Sequence, residues 1–303
     1  MSEVGGPVAT AIIAGVNKAG TTSLFVTLAE HPDIAPASVK ETKYFLPARW
    51  GQPLDPRAVY ETYWEDAGTA RVRLEATPAY FSGGRALVAR VGEVCGSPKI
   101  VVVLREPVSR LLSYFAFQQA RLRIPETMTL DEYLAQADAR SVDDFHDPEN
   151  EVYFGARGGV YADYLPDWTS EFGADVLVQF FDDLMTRPDE TLARTASFLG
   201  VDPGHLANGG LSSENRTTGF RSSRFQRVAL DLNDRFEPFL RRHHSLKRRL
   251  RGTYFRVNGR PLPVTVSEAE RSALAARYVE PNARLAEQLA ALGVTDFPTW
   301  LRP

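Results

Sequence analysis

The stretch IIAGVNKAGTTSLFVTLAEHPDI, Ile12 to Ile34, decides how the rest of the chain is read. It opens as a short apolar run, turns through two glycines and continues with a helical pattern. Gly15 and Gly20 have the separation found in a phosphate-binding loop of the form G-x-x-x-x-G-K-[ST]. Thr21 stands where such a loop carries its lysine, and Lys18 lies inside the loop instead. Backbone N–H groups at a strand-to-helix turn make a nest for an anion, and the helix N-terminus adds positive potential. The bland alternative is a tight turn with a capping threonine. The missing Gly-Lys pair counts against a kinase or nucleoside triphosphatase.

The flanks of this loop set the fold class. ATAIIA, Ala9 to Ala14, has the pattern of a buried strand, and Leu24, Phe25 and Leu28 recur at helical spacing from Thr21 to Glu30, where His31-Pro32 ends the helix. Val72 to Glu75 reads as a short strand. KIVVVL, Lys99 to Leu104, is a buried strand, with Pro107 at the first turn of a following helix. DVLVQFF, Asp175 to Phe181, is another strand, followed by a helix from Pro188 to Leu199. Strands alternating with helices predict a parallel α/β sheet. Phe225, Val228, Leu232, Phe236 and Phe239 form one helical stripe between Phe225 and Leu240, and Ser267 to Leu289 reads as one long helix. No repeat or linker divides the chain, so residues 1–303 are expected to form one domain with a helical C-terminal third.

Composition narrows the function. The 303 residues carry a net charge of -3, which argues against general nucleic-acid binding. Hydrophobic content of 44% is ample for a core, and no apolar stretch reaches the ~20 residues of a membrane span. Cys95 is the only cysteine, in keeping with a reducing, cytoplasmic setting. The five lysines are Lys18, Lys40, Lys43, Lys99 and Lys247, so three of them fall in or just after the loop. This arginine-heavy, lysine-poor usage suggests a GC-rich bacterial source. The run RRHHSLKRRLR, Arg241 to Arg251, reads as a solvated basic face. His31 reads as a helix-end residue.

A second cation sits at the end of the KIVVVL strand. A phosphate-loop NTPase has an aspartate for Mg²⁺ on such a strand. Here the strand runs into Arg105, and Ser113 follows eight residues later on the helix. An arginine fork suits a phosphate, so the pair reads as an anion clamp and not as a metal site. Two anion sites at neighbouring strand ends suit a nucleoside phosphorylated at both ends, such as 3'-phosphoadenosine 5'-phosphosulfate (PAPS).

With these residues in view, the chain resembles the PAPS-dependent sulfotransferase superfamily, most of all the heparan sulfate glucosaminyl N- and 3-O-sulfotransferase domains. GVNKAGTTSL is similar to the family's 5'-phosphosulfate loop, and VVLREPVSRLLSYF to its 3'-phosphate segment. The resemblance implies a P-loop-kinase-like fold with a central parallel sheet. It implies that Lys18 contacts the bridging oxygen and that Ala19, Gly20, Thr21, Thr22 and Ser23 hold the 5'-phosphate. Arg105 and Ser113 then hold the 3'-phosphate. KETKYF, Lys40 to Phe45, resembles the segment that carries the catalytic base, which makes Glu41 the base and Lys43 a catalytic neighbour. LEATPAYF, Leu74 to Phe81, resembles E-K-T-P-x-Y-F but has Ala76 where the family often has a catalytic lysine, a role left to Lys40 or Lys43. Glu75 in the same segment is a lesser candidate base.

VNGRPLP, Val257 to Pro263, resembles a further phosphate-contacting segment, with Asn258 in place of its lysine and Gly259 and Arg260 matching. TDFPTWLR, Thr295 to Arg302, is similar to the end of the N-sulfotransferase domain. The implied activity is sulfuryl transfer from PAPS to a hydroxyl or amine of a saccharide, glycolipid or other small molecule. Adenosine 3',5'-bisphosphate is the product and no metal is required. The alternatives are a nucleotide or small-molecule kinase, and a nucleotide-binding module without catalysis.

Overall fold

The computed structural model describes residues 6–206, 218–220, 222–235, 258–261 and 264–302. At its centre is β1 (Ala11–Gly15), every residue of which is buried. The chain continues through α1 (Thr21–Leu28), β2 (Ile34–Pro36), α2 (Leu46–Arg49), α3 (Arg57–Glu61), β3 (Val72–Ala76), α4 (Gly84–Cys95) and β4 (Lys99–Leu104). Then come α5 (Pro107–Ala120), α6 (Leu130–Asp138), α7 (Leu165–Phe172), β5 (Val176–Phe180), α8 (Phe181–Thr186) and α9 (Pro188–Leu199). A small β6 (Thr218–Phe220), α10 (Ser223–Arg235), β7 (Gly259–Pro261), α11 (Glu268–Ala276) and α12 (Val279–Ala291) complete the described strands and α-helices, which short 3-10 turns connect.

The five-stranded sheet has the order β2-β3-β1-β4-β5, and all its ladders are parallel. Ile100 to Leu104 of β4 are sealed from solvent, as are Ile12 and Ile13 of β1. Burying an aliphatic side chain of this size contributes roughly 1.5–3 kcal/mol, so these two strands anchor the core. A strand covered on both faces needs no polar alternation, which is why KIVVVL reads as a continuous apolar run. From β1 the chain crosses to the β2-β3 side, whereas from β4 it crosses to the β5 side. The crevice at the carboxyl ends of β1 and β4 is therefore a topological switch point, where open α/β sheets bind ligands.

The strand and helix expectations around the loop are met, with ends moved by one or two residues. The expected helix from Ser267 to Leu289 is instead two helices, α11 and α12, separated at Arg277 and Tyr278. Pro281 explains the break, because it lacks an N–H and its ring would collide with the carbonyl of Arg277 in a continuous helix. The apolar stripe of α10 is exposed where it is described: Phe225, Val228 and Leu232 are 70%, 55% and 49% accessible. Phe236, Phe239 and the basic run Arg241 to Arg251 lie outside the described residues. The antiparallel β6–β7 pair in the helical C-terminal third had no clear signal in the sequence.

Candidate functional site

The loop after β1 is shaped by two glycines. A Cβ on Gly15 would lie 2.4 Å from the Cβ of Phe81, so only glycine lets the strand end pass that ring. Gly20 has φ +77° at the start of α1, a conformation that glycine adopts without steric cost. The first N–H groups of α1 have no partner within the helix, and Gly20 supplies no side-chain cap. Ala19 and Thr21 are buried, while Lys18, Gly20, Thr22 and Ser23 are half-buried along the crevice. The Lys18 ammonium lies 4.6 Å from the centre of the Phe117 ring on α5.

Arg105 leaves β4 at the same level. Its Nη1 donates to the Lys18 carbonyl oxygen at 2.7 Å, and its guanidinium covers the Phe181 ring at 4.5 Å. Burial lowers the pKa of this guanidinium, opposed by Tyr161, Glu106 and Asp182. Helix α5 starts at once after the arginine because Glu106 caps it, accepting from the backbone N–H of Val108 and Ser109 at 2.9 and 2.7 Å. Pro107 then occupies the first helical position. This tight entry carries half-buried Ser113 one turn before Phe117, the ring beneath Lys18. Behind the clamp, the Tyr161 hydroxyl donates to the Arg105 carbonyl at 2.7 Å, and Trp300 from TDFPTWLR packs on Tyr161. Sequence reasoning missed Tyr161, which lies in a segment of short turns without periodicity.

The Lys40–Phe45 segment docks on the end of β3. The Glu41 N–H donates to the Ala76 carbonyl at 3.0 Å, and the Lys43 N–H approaches Thr77 Oγ1 at 3.4 Å. The backbone of Lys43 thus stands beside buried Ala76, the position of the family's absent lysine. Lys18, Glu41 and Lys43 have φ of 72°, 62° and 59°; Leu122 is the only other non-glycine residue with positive φ among the described residues. Left-handed backbone at bulky residues is unfavourable and tends to gather at functional sites. Glu41 pairs with Lys40 at 2.8 Å. Burial works against ionisation of the Glu41 carboxyl, but the charges of Lys40, Lys43 and Lys18 outweigh it and hold the pKa below the usual range.

Glu75 has a different environment. It is fully buried and accepts hydrogen bonds from the hydroxyls of Thr42, Tyr60, Tyr80 and Thr77, the last two at 2.8 and 3.0 Å. Burial raises its pKa, and the hydroxyls moderate the rise. Sealed in this way, Glu75 cannot reach a substrate proton. Its contact with Thr42 ties β3 to the residue between Glu41 and Lys43. His31 is a structural link too, since Nδ1 accepts from Asp33 N–H at 3.0 Å and Nε2 therefore donates to the Asp202 carbonyl at 2.9 Å.

The late segment reaches α5 from the other side. The side chain of Asn258 is folded onto the backbone of Ser222, accepting from its N–H at 3.0 Å and donating to its carbonyl at 3.2 Å. Gly259 and Arg260 pair with Phe220 and Gly219 in the β6–β7 ladder. Gln226 of α10 donates to the Ala120 carbonyl at the end of α5. Among the described residues no group of His, Cys, Asp and Glu is arranged to hold a metal ion. Among the same residues no helix is long and apolar enough to cross a membrane.

Comparison with known proteins agrees with this fold. The human heparan sulfate glucosamine 3-O-sulfotransferase 3B1 is 26% identical over 196 residues, 63% of this chain and 46% of that protein. The human heparan sulfate glucosamine 3-O-sulfotransferase 5 is 27% identical over 217 residues, 71% of this chain and 59% of that protein. The chain thus spans about half the length of the curated relatives it matches. A solved sulfotransferase from Alicyclobacillus acidocaldarius shares the fold, with a TM-score of 0.58, 21% identity, and coverage of 79% of this chain and 96% of that one. The sulfotransferase domain model matches residues 92–247, just over half of the chain and the part that contains β4, Arg105 and α5. By its sheet, its loop and this match, the chain belongs to the sulfotransferase family.

Proposed function

We propose that the protein transfers a sulfuryl group from PAPS to a hydroxyl or amine of a saccharide, glycolipid or other small molecule. The observation that carries this reading is the bond from Arg105 to the Lys18 carbonyl, which joins the two anion-binding motifs at the β1–β4 crevice. In the proposed complex the N–H groups of Gly20 to Ser23 and their hydroxyls hold the 5'-phosphate. Arg105 and Ser113 hold the 3'-phosphate. Gly259 and Arg260 close over the donor, with Asn258 fixing the start of β7 against Ser222. We take residues 1–303 to act as one domain in a reducing, cytoplasmic setting, in line with the single cysteine.

The transfer is in line. The bond between sulfur and the bridging oxygen breaks as a bond to the acceptor oxygen or nitrogen forms. Charge develops on the bridging oxygen, where Lys18 meets it. Glu41 takes the acceptor proton, and the lysines around it keep it ionised and ready to do so. Lys43, beside the end of β3, stands in for the lysine absent at Ala76. The residues supply positioning and charge and need no metal for these steps. The test is mass spectrometry of acceptor panels incubated with PAPS and no added Mg²⁺. A mass gain of one sulfuryl group with release of adenosine 3',5'-bisphosphate supports the reading. Transfer only in a parallel panel with ATP and Mg²⁺ points to the kinase alternative, and donor binding without any transfer to the inactive module.

A further inference from the structure

Helix α11 reaches the start of α5 through Arg271. Its Nη2 donates to the Ser109 hydroxyl at 2.9 Å and lies 3.3 Å from the Glu106 carboxylate. Glu106 is the residue after Arg105, and its two oxygens already accept from the N–H groups of Val108 and Ser109. Arg271 is in turn fixed by its own helix. Its N–H donates to the Ser267 carbonyl at 2.9 Å, directly after the capping box in which Ser267 and Glu270 bond reciprocally. One turn further on, Leu274 is buried in the same apolar cluster as Val108 and Leu111 of α5. The two helices are therefore packed together where the arginine bridges them.

Ser109 and Ser113 are four residues apart and share one face of α5. The partner of Arg271 thus lies one turn from the proposed ligand of the 3'-phosphate. A carboxylate at position 106 suits the helix N-terminus, but it does not suit an anion bound next to it at Arg105. Two like charges close together in a half-buried site repel each other. The Glu106 charge is felt at Arg105, where it opposes the effect of burial on the guanidinium. An ion pair as accessible as Arg271–Glu106 contributes little to folding, so its effect is sought at the neighbouring clamp. We propose that Arg271 is a positioning residue for the donor's 3'-phosphate, which offsets the Glu106 carboxylate and steadies the α5 face that carries Ser113. The late part of the chain then serves the donor twice, through Arg260 in β7 and, eleven residues on, through Arg271. The proposal rests on the reading of Arg105 and Ser113 as the 3'-phosphate clamp.

The test compares adenosine 3',5'-bisphosphate with AMP, which lacks the 3'-phosphate, by calorimetry on the whole chain at low ionic strength without Mg²⁺. Arg271→Ala weakens the bisphosphate by about tenfold, as expected for removal of one nearby charge, and AMP by less than about twofold. Arg271→Lys keeps the charge and recovers part of the loss. Adding Glu106→Gln to Arg271→Ala removes the uncompensated carboxylate and also recovers affinity for the bisphosphate. A purely structural role would lower the melting temperature and leave the ratio of the two affinities unchanged. That unchanged ratio, or no recovery in the double variant, overturns the proposal. If Arg271→Ala does not fold, Arg271→Gln, which retains a donor for Ser109 but no charge, is judged by the same ratio. Wild-type protein that binds the two nucleotides equally overturns the 3'-phosphate clamp itself, and the proposal with it.

Discussion

The guanidinium of Arg105 and the backbone of Lys18 are joined by a 2.7 Å hydrogen bond across the gap between β4 and β1. The proposed 3'-phosphate clamp therefore also braces the 5' loop. Arg105→Ala is expected to weaken adenosine 3',5'-bisphosphate binding by about 10- to 100-fold, the range for a hydrogen bond to a charged group. Isothermal calorimetry without Mg²⁺ checks this. Wild-type protein should gain melting temperature from the bisphosphate and far less from AMP; equal gains from the two ligands would sink the two-clamp reading.

Lys18→Ala separates binding from chemistry. Charge grows on the leaving oxygen only in the transition state, so turnover should fall by on the order of 10²–10³-fold with a much smaller change in donor affinity. Single-turnover rates beside equilibrium donor binding make the comparison. A loss confined to affinity would remove the leaving-group role.

Glu41→Gln preserves shape and cannot accept a proton, so transfer should fall by on the order of 10²-fold or more while donor binding survives. The pH profile carries the sign. The Glu41 pKa is held low by Lys40, Lys43 and Lys18 against burial, so the acid limb of kcat/KM should lie below the ordinary glutamate range. Lys40→Ala removes the closest charge, raises the Glu41 pKa and moves that limb to higher pH. A limb that stays in place means that another group is titrating.

Glu75 should behave as a structural acid. Its folded pKa is raised by burial, so the folded state holds a proton that the unfolded chain releases as pH rises past the ordinary glutamate value. Its contribution thus favours folding at low pH and declines as pH climbs through the folded pKa. Glu75→Gln mimics the protonated acid and should flatten that part of the stability–pH curve, measured by urea unfolding. Glu75→Leu removes the acceptor shared by four buried hydroxyls, of which only Thr42 and Tyr80 can bond each other, and should destabilise by several kcal/mol, at about 1–3 kcal/mol per unsatisfied group. A Glu75→Gln protein that binds donor but does not turn over, beside an active Glu41→Gln, would move the base to Glu75.

Much of the sheet was legible because its signals are local. KIVVVL and the helix from Pro188 to Leu199 match the structure residue for residue, since apolar runs and proline starts are read within a single segment. Strand β2 was missed: three residues ending in Pro36 leave too little pattern to see. The loop motif placed Lys18 and Gly20 in the turn between a strand and a helix, where the structure has them, but did not show the bond that ties Lys18 to Arg105. The cage around Glu75 was beyond reach. Thr42, Tyr60 and Tyr80 arrive from separate segments and meet only when β3 is built, and the same residue read in isolation looked like a second base. Asn258 likewise looked like a substituted phosphate ligand until its amide was seen closed on Ser222.

The positive φ angles at Lys18, Glu41 and Lys43 carry an evolutionary consequence. For any side chain that conformation costs about 1–2 kcal/mol relative to the right-handed one, and glycine escapes it. Selection for heat resistance alone should therefore drift toward glycine at position 43, where the lysine is exposed and little packing would be lost. Selection for turnover should restore lysine there. Laboratory lineages evolved under the two pressures would part at this residue before they parted anywhere in the core.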